Sequence, residues 1–195
     1  MSVTRLLVLG VVRMYRQAHG YQVRTALVSW AADKWANARP GSIYHALRKL
    51  AAEGLLAEVG TEDGEGGPER VIYRLTAEGD TEFQALLRNA LADPETTPAA
   101  IFAGLTFLTT LPRRDVLALL RVRQRRLTAS RDTSVEMRDS NKAMGKPEHV
   151  AELFGLWAEQ ADGELRWLDS LITRLEAGEY VLADDSPSHF AARHG

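Results

Sequence analysis

Pro40-Gly41-Ser42-Ile43-Tyr44-His45-Ala46-Leu47-Arg48-Lys49-Leu50-Ala51-Ala52-Glu53-Gly54 decides how the rest of the chain is read. Residues 37–42 form a turn in which Pro40 and Ser42 are helix-start signals, and Gly54 is a stop. The segment between, about 42–53, predicts a helix with two unlike faces. At roughly 100° per residue, Ile43, Ala46, Leu47 and Leu50 share one side, while His45, Arg48 and Lys49 point the other way. Ser42 and Tyr44 flank that outer face. Two cations, an imidazole and a phenol opposite an aliphatic stripe suit a polyanion; the competing reading is an ordinary solvated face.

Upstream, residues 21–32 predict a helix with Val23, Ala26, Leu27 and Trp30 on its apolar side, set off by Gly20. Residues 3–17 predict another, apolar nearly all round. Val3, Leu6, Leu7, Gly10, Val11 and Met14 form one stripe, and Leu9, Val12 and Tyr15 fall elsewhere. A helix with two apolar faces must be covered twice. One face is expected to pack at home and the other against a partner chain or second domain, which makes Leu6 and Leu9 candidate dimer contacts. Downstream, 55–59 and 71–75 read as strands around the Gly-rich acidic segment 60–68, a wing. Thr76 then caps a helix to about residue 91.

Asp93-Pro94 and Thr96-Thr97-Pro98 mark a boundary. The expected division is a DNA-binding unit over 1–91, a helical dimerisation unit over 92–182 and a disordered tail over 183–195. Beyond the boundary the pattern is helical: 99–110, then 113–144, then 148–177. In the last, Val150, Leu153, Phe154, Trp157, Ala161, Leu165, Leu168, Leu171, Ile172 and Leu175 recur at steps of three and four, a helix–helix seam. Leu153, Trp157, Leu165, Leu168 and Ile172 are the dimer candidates there. The fold class expected is mainly α: a winged helix-turn-helix with three helices and a two-stranded wing, followed by an all-helical region.

The 195 residues carry a net charge of −2, unevenly spread. Residues 1–50 are net +7, 51–100 net −8, 101–150 net +5 and 151–195 net −6. A basic first quarter suggests a cationic surface for a polyanion; pairing between the blocks is the alternative. Zero cysteines exclude disulfide scaffolds, thiolate zinc sites and cysteine nucleophiles. No apolar run reaches the roughly 18 residues of a membrane span. The apolar stretch 6–12 is followed by no small-residue cleavage signal, so a cytoplasmic protein is expected. The five histidines show no metal spacing, no GxSxG elbow occurs, and Gly64–Gly67 lacks the Lys-(Ser/Thr) of a phosphate loop. No catalytic residue, metal or cofactor is therefore assigned.

Three motifs narrow the winged-helix reading. These are His19-Gly20-Tyr21, then Pro40-Gly41-Ser42-Ile43-Tyr44, then Leu50 and Glu53-Gly54-Leu55 with Gly67-Pro68-Glu69-Arg70, Tyr73-Arg74-Leu75-Thr76 and Gly79. In this order over residues 3–90, the chain resembles the PadR family of bacterial transcriptional regulators. The resemblance implies a DNA-binding regulator, by family default a repressor, acting as a homodimer on double-stranded DNA, with a small aromatic compound as a possible effector. Carried over by position, Ser42 and Tyr44 lie near the recognition-helix start and Arg70 is the wing's basic residue. Helix geometry itself adds Arg48 and Lys49 as base and phosphate contacts. His45 stands where many relatives have proline, and Val71 replaces a common basic residue. With Glu62, Asp63 and Glu65 in the wing, weak or absent wing-tip contact is expected, Arg70 being its only cation. The DNA-binding set is thus Ser42, Tyr44, His45, Arg48, Lys49 and Arg70.

Two further features compete. Arg121, Arg123, Arg125 and Arg126 point in at least two directions and are read as a solvated face, partly paired with the acidic last helix, rather than as a second nucleic-acid patch. Trp30, Trp35, Trp157 and Trp167 are read as core or interface, with a ligand pocket as the alternative. A winged helix that binds protein without touching DNA is the alternative function, and it would call for apolar or acidic residues where Arg48 and Lys49 stand.

Overall fold

Helix α1 (Val3–Tyr15) is apolar on two faces and is covered on both by its own chain. The structure, a computed structural model, describes residues 2–64 and 67–185. The side chain of Asp63, residue Glu65 and the tail beyond Asp185 lie outside the described residues. The chain divides into two compact units: one holds the described residues up to Ala90 together with Thr96–Leu108, the other Leu91–Glu95 and Thr109–Asp185.

In the first unit, β1 (Gln17–His19), α2 (Gly20–Ser29), a short α3 (Ala32–Trp35) and α4 (Pro40–Ala52) follow α1. The strands β2 (Leu56–Gly64) and β3 (Gly67–Leu75) form the wing, and α5 (Ala77–Ala92) leaves it. The sheet is antiparallel in the order β1-β3-β2. A third strand thus joins the expected two. Gln17–His19 was too short a run to show a strand pattern; pairing with Arg74, Tyr73 and Ile72 makes it one. The wing strands also extend through much of the segment read as loop, with register shifts near Val59 and Asp63.

The second face of α1 is met by α6 (Pro98–Phe107), an apolar helix grouped by sequence with the later helices but packed here against the winged helix. A Cβ on Gly10 would lie 2.3–2.6 Å from three atoms of the Phe107 ring, so only glycine admits that ring against α1. Phe107 meets Phe83 edge-on at 5.5 Å and Trp30 at 5.9 Å. Leu6 and Leu9, expected at a dimer contact, are accordingly fully buried in this unit's own core. Trp35 donates its indole N–H to the Trp30 carbonyl at 2.9 Å and meets Phe102 edge-on. Part of the basic first quarter is consumed internally: Arg5 pairs with Glu53 and Glu82, and Arg13 with Asp80.

The wing is tied to α5 by backbone approach. A Cβ on Gly79 would fall 2.0 Å from the Leu55 carbonyl oxygen. The Thr76 hydroxyl accepts from the Gly79 N–H at 3.0 Å and donates toward the carbonyl of Gly54 at 2.8 Å.

The second unit is an antiparallel pair, α7 (Arg113–Asp139) and α8 (Val150–Glu176). Val116, Leu120 and Leu127 of α7 and Phe154, Ala158, Ala161, Leu168, Leu171, Ile172 and Leu175 of α8 fill the seam. Arg123 is buried and donates to Glu164 at 2.6 Å and to the Asp93 carbonyl at 2.8 Å. Arg121 pairs with Glu176, Arg126 with Asp93 and Arg131 with Asp162. Three of the four cluster arginines, Arg121, Arg123 and Arg126, are thus paired within this unit, and Arg125 is exposed. Ala183–Asp185, read as tail, is held to the start of α7: the Arg113 amide donates to Asp184, and its guanidinium pairs with Asp185. No helix among the described residues is long and apolar enough to cross a membrane.

Candidate nucleic-acid interface

Helix α4 begins two residues earlier than the sequence suggests, with Pro40 at its first position and Arg39 as the extended cap. Its faces divide as the spacing predicts. Ile43, Leu47 and Leu50 are buried, while Ser42, Tyr44, His45, Arg48 and Lys49 are exposed. The Ser42 hydroxyl donates to the Arg39 carbonyl at 2.8 Å, so toward a further ligand it is an acceptor.

Tyr44 has a fixed seat. A Cβ on Gly20 would stand 2.4 Å from its Cε1, so the ring lies directly over the Gly20 backbone at the start of α2. His19 holds that start in place through a reciprocal cap. Its Nδ1 accepts from the Gln22 N–H at 3.2 Å, and the Gln22 side chain accepts from the His19 N–H at 3.0 Å. The His19-Gly20-Tyr21 motif is thus a helix cap, a close approach and an outward ring.

Between α4, the start of α2 and the wing lies a concavity of about 410 Å³ lined by Tyr21, Tyr44, Arg48, Glu69, Arg70 and Tyr73, among others. It gathers Tyr44, Arg48 and Arg70 from the expected set; Ser42, His45 and Lys49 stay on the open helix surface. The Arg70 guanidinium lies 5.2 Å from the Tyr21 ring centroid. Tyr73 is buried beneath, and its phenol is pushed above its ordinary range by burial and by Glu58, with Arg48 opposing. It therefore stays a neutral hydrogen-bonding group at physiological pH. Tyr21 and Tyr73 were not among the sequence candidates. Tyr73 follows from strand alternation on β3; nothing in the spacing signals Tyr21 except the glycine before it.

Of the α8 candidates, Leu168 is fully buried and Ile172 nearly so, both in the hairpin's seam. Leu165 is partly exposed. Leu153 and Trp157 are exposed at 44% and 47%, joined by Leu156 at 55%.

A helix-turn-helix whose recognition-position helix, here α4, exposes a cationic face is an arrangement shared by many nucleic-acid-binding proteins. Residues 8–85 match the model of the transcriptional regulator PadR-like family. Among solved structures, Bacillus subtilis PadR in complex with operator DNA is 22% identical, with 90% of this chain and 98% of that one aligned and a TM-score of 0.42. Bacillus subtilis PadR in complex with p-coumaric acid is 20% identical over 89% and 99%, with a TM-score of 0.39. The smu.1604c protein of Streptococcus mutans UA159 is 20% identical over 87% and 98%, with a TM-score of 0.38. A comparison with curated proteins gave no match.

Proposed function

We propose that the protein is a cytoplasmic DNA-binding transcriptional repressor that holds a pseudo-palindromic operator as a homodimer and is released by a small aromatic compound. The observation that carries the DNA reading is the outer face of α4. Arg48 and Lys49 stand exposed opposite the buried Ile43, Leu47 and Leu50, with Arg70 of the wing on the adjoining concavity. An α-helix fits the major groove, where an arginine reads a guanine edge and a lysine neutralises phosphate. Arg48 takes the first role and Lys49 the second. Tyr44 and His45 contact the strand at the helix start. Arg70 is the wing's contribution.

One unit offers few phosphate contacts, so operator symmetry calls for two, about 34 Å apart. The half-exposed row Leu153, Leu156 and Trp157 on α8, continued by the partly exposed Leu165, supports a self-contact through the hairpin. Repression and aromatic release rest on the family resemblance.

Gel retardation with the DNA flanking the protein's own gene, with and without phenolic compounds, tests this. Retention that is sequence-specific at low salt, and lost when Arg48 and Lys49 are both changed to Ala, is expected. Unchanged retention in that double variant would remove α4 as the reading helix and favour a winged helix that contacts protein instead.

A further inference from the structure

The wing presents an electrostatic problem. Glu62 faces Arg70 across the β2–β3 register, and Glu69 precedes it in the chain. A carboxylate paired with Arg70 from either position would cancel the charge that the proposed function puts on DNA. Neither carboxylate forms an ion pair with Arg70 among the described residues. Glu62 lies 3.6 Å from His19 Nε2, and Glu69 accepts from the Thr61 hydroxyl. Among the described residues, the Arg70 guanidinium rests instead on the ring of Tyr21, 5.2 Å from its centroid. That ring is half exposed, and His19, fixed by its cap, stands beside it at 6.2 Å.

We infer that Tyr21 is a positioning residue for Arg70, holding the guanidinium over its ring and away from Glu62 and Glu69 so that it reaches the DNA backbone as an undiminished charge. The inference rests on the DNA-binding reading and adds a residue and a role to it. A guanidinium attracted to an aromatic face gives up little of its charge, whereas one paired with a carboxylate gives up most of it. The ring also orders the side chain before DNA arrives, so less freedom is lost on binding. A direct phosphate contact by the Tyr21 hydroxyl is the rival role, and the variants below separate the two.

The test measures binding of the full chain to the duplex flanking its own gene, across a range of salt, for Tyr21→Leu, Tyr21→Phe, Arg70→Ala and the double variant Tyr21→Leu with Arg70→Ala. Tyr21→Leu should weaken binding roughly threefold to fivefold per half-site with the salt slope unchanged, because no charge is lost. Tyr21→Phe should bind as the parent does. Arg70→Ala should reduce the slope by about one per half-site, and adding Tyr21→Leu to it should change nothing further. In the free protein, nuclear magnetic resonance should show an upfield ring-current shift of the Arg70 Nε–H that Tyr21→Leu abolishes and Tyr21→Phe keeps. Equal weakening by Tyr21→Leu with and without Arg70, or a Tyr21→Phe variant as weak as Tyr21→Leu, would overturn the inference. Loss of all DNA binding by the parent would overturn the DNA reading and this inference together; normal parental binding with Tyr21→Leu unaffected would overturn this inference alone.

Discussion

Replacing Gly20 by alanine should damage DNA binding while leaving the fold nearly untouched. The new Cβ would stand 2.4 Å from Tyr44 Cε1, 2.8 Å from its Cδ1 and 3.4 Å from a methyl of Leu47. Ordinary carbon contacts begin near 3.5 Å, so the ring must move by about 1 Å or more. A ring cannot bend, and Tyr44 is 40% exposed, so it turns out toward solvent instead of straining the core. That turn costs about 0.5–1.5 kcal/mol if the side chain is forced off its rotamer. Alanine in a helical position returns about 0.4–1 kcal/mol by narrowing the unfolded ensemble. The two nearly cancel, and thermal unfolding should shift by only a few degrees. Binding has no such compensation. Losing one hydrogen bond from Tyr44 in each of two half-sites removes about 2–3 kcal/mol, roughly a 30- to 150-fold loss of affinity. Calorimetric unfolding and fluorescence anisotropy with a labelled operator measure both quantities on one sample. An alanine variant that melts normally and binds DNA normally would refute the claim that the Gly20 seat sets Tyr44 for binding. A fall in melting temperature beyond ten degrees or so would show that the seat serves stability instead.

Three further outcomes follow from the same geometry. Gly10→Ala drives a Cβ into the fully enclosed Phe107 ring, so an overpacking cost of about 1–3 kcal/mol should exceed the roughly 1 kcal/mol of helix propensity gained, and urea unfolding should show net destabilisation. Trp157→Glu, on the half-exposed face of α8, should leave the circular dichroism unchanged while sedimentation velocity shows a monomer; a dimer of unaltered mass would move the self-contact off this face. The carboxyl of Asp185 is held below its usual range by the Leu182 N–H and then by Arg113, so its contribution is present above the ordinary carboxylate pKa and fades as pH falls through the lowered one. Parent and Asp185→Asn should therefore differ in melting temperature at neutral pH and converge in acid; a gap that persists at low pH would contradict this.

The helix-turn-helix was legible because its signals are local. Pro40 starts α4, Gly54 ends it, and the spacing of Ile43, Leu47 and Leu50 fixes which side faces inward. Arg48 and Lys49 follow from that phase alone. What escaped the sequence depends on partners distant in the chain. Gln17–His19 became a strand only by pairing with β3. The cover for α1 came from α6, about a hundred residues away, so the second apolar face of α1 needed no other chain. The cavity was half legible for a related reason: Tyr44, Arg48 and Arg70 follow from helix phase and motif, whereas Tyr21 is brought beneath Arg70 by the wing's return across the sheet. Much of the positive charge in residues 1–50 pointed toward DNA, yet Arg5 and Arg13 are spent on Glu53, Glu82 and Asp80, pairings that no local pattern reveals.

The most direct measurement is the dependence of operator affinity on salt. A dimer placing α4 and Arg70 of each copy on the duplex neutralises on the order of eight phosphates, so log affinity should fall against log salt with a slope near −7. Changing Arg48 and Lys49 to Ala in both copies should flatten that line substantially. A slope near zero in the parent, or one unaltered in that variant, would contradict a recognition helix at residues 40–52.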